Sequence, residues 1–517
     1  MRTTINLSGV TKFIWLAPVI ASIVIGSVQL SQTHALFGIQ QYDDGAYLAG
    51  TLQLLAGKIP YRDFVFVQPS GTLLLLTPIA VLGHLTSLRF AIAVSRCLTV
   101  LAVVADVTLT CLIVKHRGLA VTVLTGTIIA IYPATFSADR AFLIEPWLDL
   151  FILLGLKILF SKDGFASNRK IFVAGFLIGI AGSLKAMAVV IAFICLLILI
   201  RDIKKFIRFL LGTALGFLLP TLPFFILAPS QYIHDVIVAQ LARSGATTTP
   251  ILARLAFMLG TRQNGIGPDT LAGMASLARV VAIGIAMLLF LFLFLPIITK
   301  RNSKLDTFTL LAVLMVGASM MLPQIFYAHY GWYFIPFLAI ALGLSVDNLS
   351  HFLVYISEKI QFRIMNRITA AIICLIIGIA AIRIAVGVAS YSGGIISKAG
   401  DPGPAIASVI PQGSCTLSDA AILLITANRY DSANGCPDLV DATGTWLALD
   451  PQHPERSHGQ ISNGLIQDWE LWFRQSQYVV LSKPTTFRIP WDAKLNSYFN
   501  HMFYLYKVKG AFIYKRR

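Results

Sequence analysis

Apolar runs of roughly twenty residues recur along this chain, separated by short polar or basic stretches. A run of that length spans the ~30 Å hydrocarbon core of a bilayer as a helix. In order the runs cover 13–30, 90–113, 118–136, 146–160, 171–184, 186–200, 207–228, 277–298, 306–323, 333–348 and 368–390. They are too long for barrel strands, and lipid admits only helices or closed barrels. The pattern predicts a polytopic α-helical membrane protein with about eleven transmembrane helices. The first run, flanked by Arg2 and Lys12, reads as a retained span rather than a cleaved signal peptide. The basic flank places the N-terminus in the cytoplasm.

Two long segments between runs, 31–89 and 229–275, then fall outside. Within the first, 44–56 reads as a short helix ending at Gly57, and 70–85 as a second, highly apolar one. Making 70–85 a span would move Lys115, His116, Arg117, Arg201, Lys204 and Lys205 outside. A helix lying along the membrane surface keeps those charges inside. Residues 351–367 read as an amphipathic cytoplasmic connector carrying Lys359, Arg363 and Arg367. The division is thus 1–390 in the membrane and 391–517 as a small extracytoplasmic α/β domain. Short alternating runs such as 478–481 and 511–514 provide its strands, and Trp446, Trp469, Trp472 and Trp491 its core or interface.

Composition agrees. The chain is 56% hydrophobic and 13% charged, and its mean hydropathy is +0.76, which excludes a soluble globule. The net charge of +17 lies mostly in short loops between runs, so it reports topology and not nucleic acid. Cys97, Cys111, Cys195 and Cys374 lie in apolar runs, whereas Cys415 and Cys436 lie in the polar domain. In an oxidising compartment the latter two are a candidate disulfide, two free thiols being the alternative. No CxxC or Cys/His cluster suggests zinc.

The chemistry centres on Tyr42-Asp43-Asp44-Gly45. A carboxylate at a membrane boundary is costly to bury and usually has a use. The topology brings Asp43, Asp44, Arg62, Asp63, Asp139, Arg140, Glu145, Lys185, His329 and Tyr330 to one membrane face from five segments. Sugar transfer from a phosphate-linked lipid needs a base, cations for the leaving phosphate, and an apolar groove. Asp43 or Asp44 fits the base; Lys185, Arg140, Arg62, His329 and Tyr330 fit the phosphate site; helix 70–85 fits the groove. Simpler readings exist. The two acids also suit a helix start. Glu145 stands one turn before Asp149 and would support the site or bind Arg140. Lys185 interrupts an apolar stretch from 171 to 200, which marks a turn or an anion site. His329 and Tyr330 also suit an interfacial aromatic belt. Asp106 lies within a span, roughly 15 Å along the helix from Arg96, and reads as part of a polar seam.

The ordered set Tyr42 to Leu48, Pro60-Tyr61-Arg62-Asp63-Phe64, Gln68-Pro69-Ser70-Gly71, Arg140 to Pro146, Gly179 to Lys185 and His329 to Pro336 resembles the GT-C superfamily of polyprenyl-phosphate-sugar-dependent membrane glycosyltransferases. The resemblance covers roughly the first 350 residues. It implies an acid base in the first outer loop, matched by Asp43 and next by Asp44. It also implies a second-loop acid at Glu145, a basic residue after the fifth span at Lys185, and two surface helices in the first loop. Gln68-Pro69-Ser70 departs from the basic residue or His and two prolines common in relatives, which puts a phosphate contact there in doubt. The pattern looks closest to actinobacterial cell-envelope enzymes that transfer mannose or arabinose. The expectation is an inverting hexosyl- or pentosyltransferase of cell envelope biogenesis, in the plasma (inner) membrane. Its donor is a polyprenyl-phosphate sugar and its acceptor a glycan, lipid or protein. Two adjacent acids offer a divalent cation site, and the nearby cations favour a metal-free site at least as well. The rivals are a lipid-linked glycan transporter or flippase, a non-catalytic envelope assembly protein, and an oligosaccharide ligase or polymerase. A transporter predicts mid-span acids and internal repeats; only Asp106 fits.

Overall fold

The computed structural model describes residues 13–132, 141–161, 164–241, 249–259, 284–285, 303–322, 326–360, 400–450 and 461–517. Asp139, Arg140, the run 368–390 and nearly all of 277–298 lie outside the described residues. Among the described residues, Leu88–Arg117, Ile203–Leu227, Lys304–Met321 and Gly331–Leu349 are long and apolar enough to cross a membrane. Ile14–Leu30, Gly71–Leu85, Leu119–Ala130 and Ala186–Leu199 are shorter apolar helices. The span 333–348 and the connector from 351 belong to a single helix, Gly331–Ile360. No helix breaker lies at the junction, and the Asp347–His351 pair at 3.6 Å bridges it one turn apart.

Helices Asn168–Leu184 and Ile203–Leu227 pack so closely that only glycine fits between them. Both carry a Gly-x-x-x-Gly pair, the pattern that lets membrane helices approach backbone to backbone. A Cβ on Gly175 would meet the Phe209 carbonyl at 2.3 Å, and one on Gly179 the Thr213 carbonyl at 2.2 Å. Gly212 and Gly216 answer against Phe172 and Phe176 at 2.2 and 2.0 Å. Contacts that advance together in both helices make the two parallel. The segment between them, with helix Val189–Leu199, therefore runs back the other way. Lys185 caps the outgoing helix in extended conformation, φ −153° and ψ 132°, at that reversal.

Polar contacts pin the first loop to the same end. Its helices are Tyr42–Leu55 and Gly71–Leu85; the first is followed by Gly57 at φ +86°. Thr72 Oγ1 donates to the Leu184 carbonyl at 3.1 Å and Ser70 Oγ to that of Pro220 at 3.0 Å. A Cβ on Gly71 would lie 2.3 Å from Ser183 Oγ.

A small hairpin, β1 (Phe160–Ser161) and β2 (Gly164–Phe165), follows helix Ile144–Leu159. The C-terminal region builds a sheet from β3 (Thr416–Ser418), β4 (Tyr478–Leu481), β5 (Phe503–Val508) and β6 (Phe512–Arg516) in the order β3-β4-β6-β5. β3 and β4 run parallel and the other neighbours antiparallel. β4 is buried along its whole length, as an unbroken Tyr-Val-Val-Leu run requires. Trp469, Phe473 and Phe503 fill the core on one side. Cys415 and Cys436 are bonded, with Cα atoms 5.0 Å apart. The sheet region docks through buried helix Ala421–Thr426 onto Tyr42–Leu55. Arg89 holds the junction by pairing with Asp401 and donating to the Thr426 carbonyl at 3.1 Å.

Candidate active site

Four consecutive residues open helix Tyr42–Leu55, each turned about 100° from the last, and each meets a different partner. The Tyr42 hydroxyl donates to Asp441 Oδ1 at 2.8 Å. Asp43 faces a cavity of about 220 Å³ between the helices and the sheet domain. Asp44 is fully buried against fully buried Arg96, 2.8 Å from Nη2 and 3.3 Å from Nε. Gly45 lies where a Cβ would sit 2.4 Å from the Ile422 amide nitrogen, so glycine is the condition for docking the sheet domain. Arg96 also donates to the carbonyls of Ala35, Leu36 and Gly38 at 3.1, 2.7 and 2.9 Å. It thereby fixes the chain entering the helix. Asp44 is committed to that structural pair, so the adjacent acids do not form a two-carboxylate cation site. Among the described residues no cluster of three or more His, Cys, Asp or Glu could hold a metal.

Lys185 reaches the cavity from the helix reversal. Its Nζ lies 2.5 Å from Glu145 Oε1 and 4.2 Å from the centroid of the Tyr330 ring. His329 Nε2 stands 3.8 Å from the same Glu145 oxygen. Burial alone would raise the Glu145 carboxyl, but the Lys185 charge and His329 outweigh it and hold it below its usual range. Burial likewise works against the Lys185 ammonium, and Glu145 reverses the sign, raising its pKa. The pair therefore stays ionised at neutral pH. Asp43 is close enough to act on both Lys185 and the Tyr47 phenol. Burial first, then Asp43 and Glu145, push the Tyr47 pKa well up and keep the hydroxyl protonated.

Asp43, Lys185, His329 and Tyr330 all line this one cavity, and Glu145 supports it through Lys185. Arg62 does not reach it. Half exposed, Arg62 pairs with Asp63 at 2.8 Å. The motif around it is structural: the Tyr61 hydroxyl donates to the Gln68 carbonyl at 2.8 Å and shapes the cavity-lining stretch Phe66 to Gln68. Asp106 accepts from Trp332 Nε1 at 3.3 Å, inside the bundle and away from the cavity lining. Sequence reasoning missed Tyr47, Gln240, Asp441 and Arg488, which also line the cavity. The last two come from the sheet domain, where no periodicity marks residues that fold back against a membrane helix.

The arrangement is a helical membrane bundle capped by a sheet domain, with an acid and a buried amine in the cleft between. Solved structures share its overall fold. ArnT from Cupriavidus metallidurans, crystallised bound to undecaprenyl phosphate, matches with a TM-score of 0.56 at 14% identity over 98% of each chain. An oligosaccharyltransferase from Archaeoglobus fulgidus, tethered with an acceptor peptide, matches with a TM-score of 0.53 at 14% identity over 91% of this chain and 69% of its own. AglB from the same organism, in complex with an inhibitory peptide and a dolichol-phosphate, gives 0.50 at 13% over the same shares. No family model and no curated protein matches the sequence. At these identities the shared property is the fold.

Proposed function

We propose that the chain is an inverting membrane glycosyltransferase that moves a sugar from a polyprenyl-phosphate donor to an envelope acceptor. Asp43 accepts the proton of an acceptor hydroxyl, and that oxygen attacks the anomeric carbon. The bond from this carbon to the phosphate oxygen breaks, and the lipid phosphate leaves with the bonding pair. Lys185, with Tyr330 and His329 beside it, offsets the charge that grows on the phosphate. Asp43 then returns its proton to water. Arg140, expected from the sequence to join this group, is assigned the same role. The reaction is placed at the extracytoplasmic face of the plasma membrane, with the N-terminus inside and the sheet domain outside. The transferred group is a hexose or pentose.

One observation carries the reading: Asp43 and Lys185, distant in sequence and on different elements, line a single cavity beside apolar helices. A flippase needs no such base, and an assembly protein needs no buried amine at its end. ArnT bound to undecaprenyl phosphate and AglB with a dolichol-phosphate supply the analogy for the donor. The test is Asp43→Asn in purified protein given a polyprenyl-phosphate sugar. Transfer, or slow donor hydrolysis to water, should fall by about 10²–10⁴-fold with melting temperature unchanged. Retained activity would remove Asp43 as the base.

A further inference from the structure

The cavity holds a second cation, and the donor reading does not use it. Arg488 belongs to the sheet domain and its side chain is 20% exposed. Beneath it Asp419 is fully buried and accepts four hydrogen bonds. They come from Ser482 N at 2.8 Å, Ser482 Oγ at 2.6 Å, Thr486 Oγ1 at 2.9 Å and Arg488 Nη1 at 3.1 Å. The Nη1 bond is the only one the guanidinium makes among the described residues; Nε and Nη2 donate to none of them. The group lies 4.5 Å from the centroid of the Tyr42 ring and 5.0 Å from that of Phe487. Two aromatic rings flank the group, Asp419 fixes one corner, and the rest of the fork is left over on a residue that lines the cavity. A planar fork with spare donors takes an oxyanion side-on.

This cation is also separate from the first. Lys185 is governed by Glu145, Tyr330 and Asp43. Arg488 acts on Tyr42 together with Asp441. Asp43 follows Tyr42 directly in the chain, acts on Lys185, and lines the same cavity as both cations. Resting on the reading of Lys185 as the donor-phosphate group, we propose that Arg488 forms an oxyanion subsite for the acceptor. The acceptor would then carry a phosphate or carboxylate close to the hydroxyl that attacks. Asp419 is a positioning residue for this subsite.

The test uses the full chain in phosphatidylcholine nanodiscs, first saturated with undecaprenyl phosphate to fill the donor end. Radiolabelled inorganic phosphate is then measured by equilibrium dialysis. The wild type should bind it, Arg488→Met at least tenfold more weakly, and Arg488→Lys between the two, because lysine keeps the charge and loses the fork. The lysine variant also guards against a misfolded methionine variant. Displacement of the phosphate by phosphatidylglycerol added to the disc places the oxyanion on a lipid acceptor; no displacement places it on a soluble one. Absence of phosphate binding once the donor end is filled, or binding that ignores Arg488→Met, overturns the proposal. Failure of the donor reading shows separately, as undecaprenyl phosphate binding that ignores Lys185→Met.

Discussion

Two ends of the helix bundle each hold a cation against buried carboxylates, and they treat it differently. At one end Arg117 meets Asp306 and Asp347, each at 3.1 Å, and the Ser303 hydroxyl at 2.8 Å. Asp306 also closes a capping box with Ser303 at the start of helix Lys304–Met321. One cation faces two carboxylates and a capped helix, so its bonds are spent on joining three segments of the chain. At the other end Lys185 meets one carboxylate and one aromatic face, and beyond them a cavity. Matched charges hold helices together. Lys185 gives Glu145 one of its three N–H donors, and beside an opening the others are available to a ligand that brings an oxyanion.

The comparison breaks if the two cations behave alike on removal. Arg117→Met should destabilise by about 3–5 kcal/mol, because it strands two buried carboxylates, and leave undecaprenyl phosphate binding intact in the folded fraction. Lys185→Met should cost stability for the same reason and also abolish that binding. The double change Lys185→Met with Glu145→Gln sharpens the contrast. It removes both charges, so the melting temperature should recover while lipid-phosphate binding stays lost. Thermal melting and lipid binding on the three variants settle it. Recovery of both properties in the double variant would make Lys185 a purely structural cation.

A smaller effect tests how Lys185 is delivered. Gly216→Leu forces a side chain against the Phe176 carbonyl, where even a Cβ would come within 2.0 Å. Overpacking of this kind costs about 1–3 kcal/mol, and it should tilt the outgoing helix whose end presents Lys185. Weakened undecaprenyl phosphate binding with a modest drop in melting temperature is the expected outcome. Unchanged binding would mean that the turn holds its place without the glycine contact.

What could be read from the sequence, and what could not, follows from the range of the forces involved. Helix Tyr42–Leu55, the break at Lys185 and strand β4 were legible because each depends on local pattern: acids at a helix start, a charge in an apolar run, a short β-rich run. The division of labour between Asp43 and Asp44 was not. It depends on Arg96, fifty-two positions away in sequence, and the helix turn alone cannot say which acid faces it. Arg62 looked like a phosphate ligand for its charge, yet its own neighbour Asp63 takes it. Arg488 was invisible because its meaning comes from a domain folding back onto the first loop.

The smallest expected effect is a flat line with two edges. Glu145 is held below its ordinary pKa, so it binds a proton less readily folded than unfolded. Its contribution is present above its unfolded value of about 4.3 and is lost as pH falls through the lower folded value. Lys185 is held above its ordinary pKa. Its contribution is present below its unfolded value of about 10.4 and is lost as pH rises through the higher folded one. Between these limits neither group changes its protonation on unfolding. Measured in a His329→Gln background, which removes the imidazole 3.8 Å from Glu145, the melting-temperature gap between the parent and the Lys185→Met, Glu145→Gln double variant should therefore stay constant from about pH 5 to about pH 9. Below about pH 4 it should change as Glu145 takes up its proton and Lys185 loses its partner. A gap that slopes through neutral pH in the double variant would mean that the Lys185–Glu145 pair exchanges a proton there, and its amine would then be a poorer anchor for phosphate than a fixed charge.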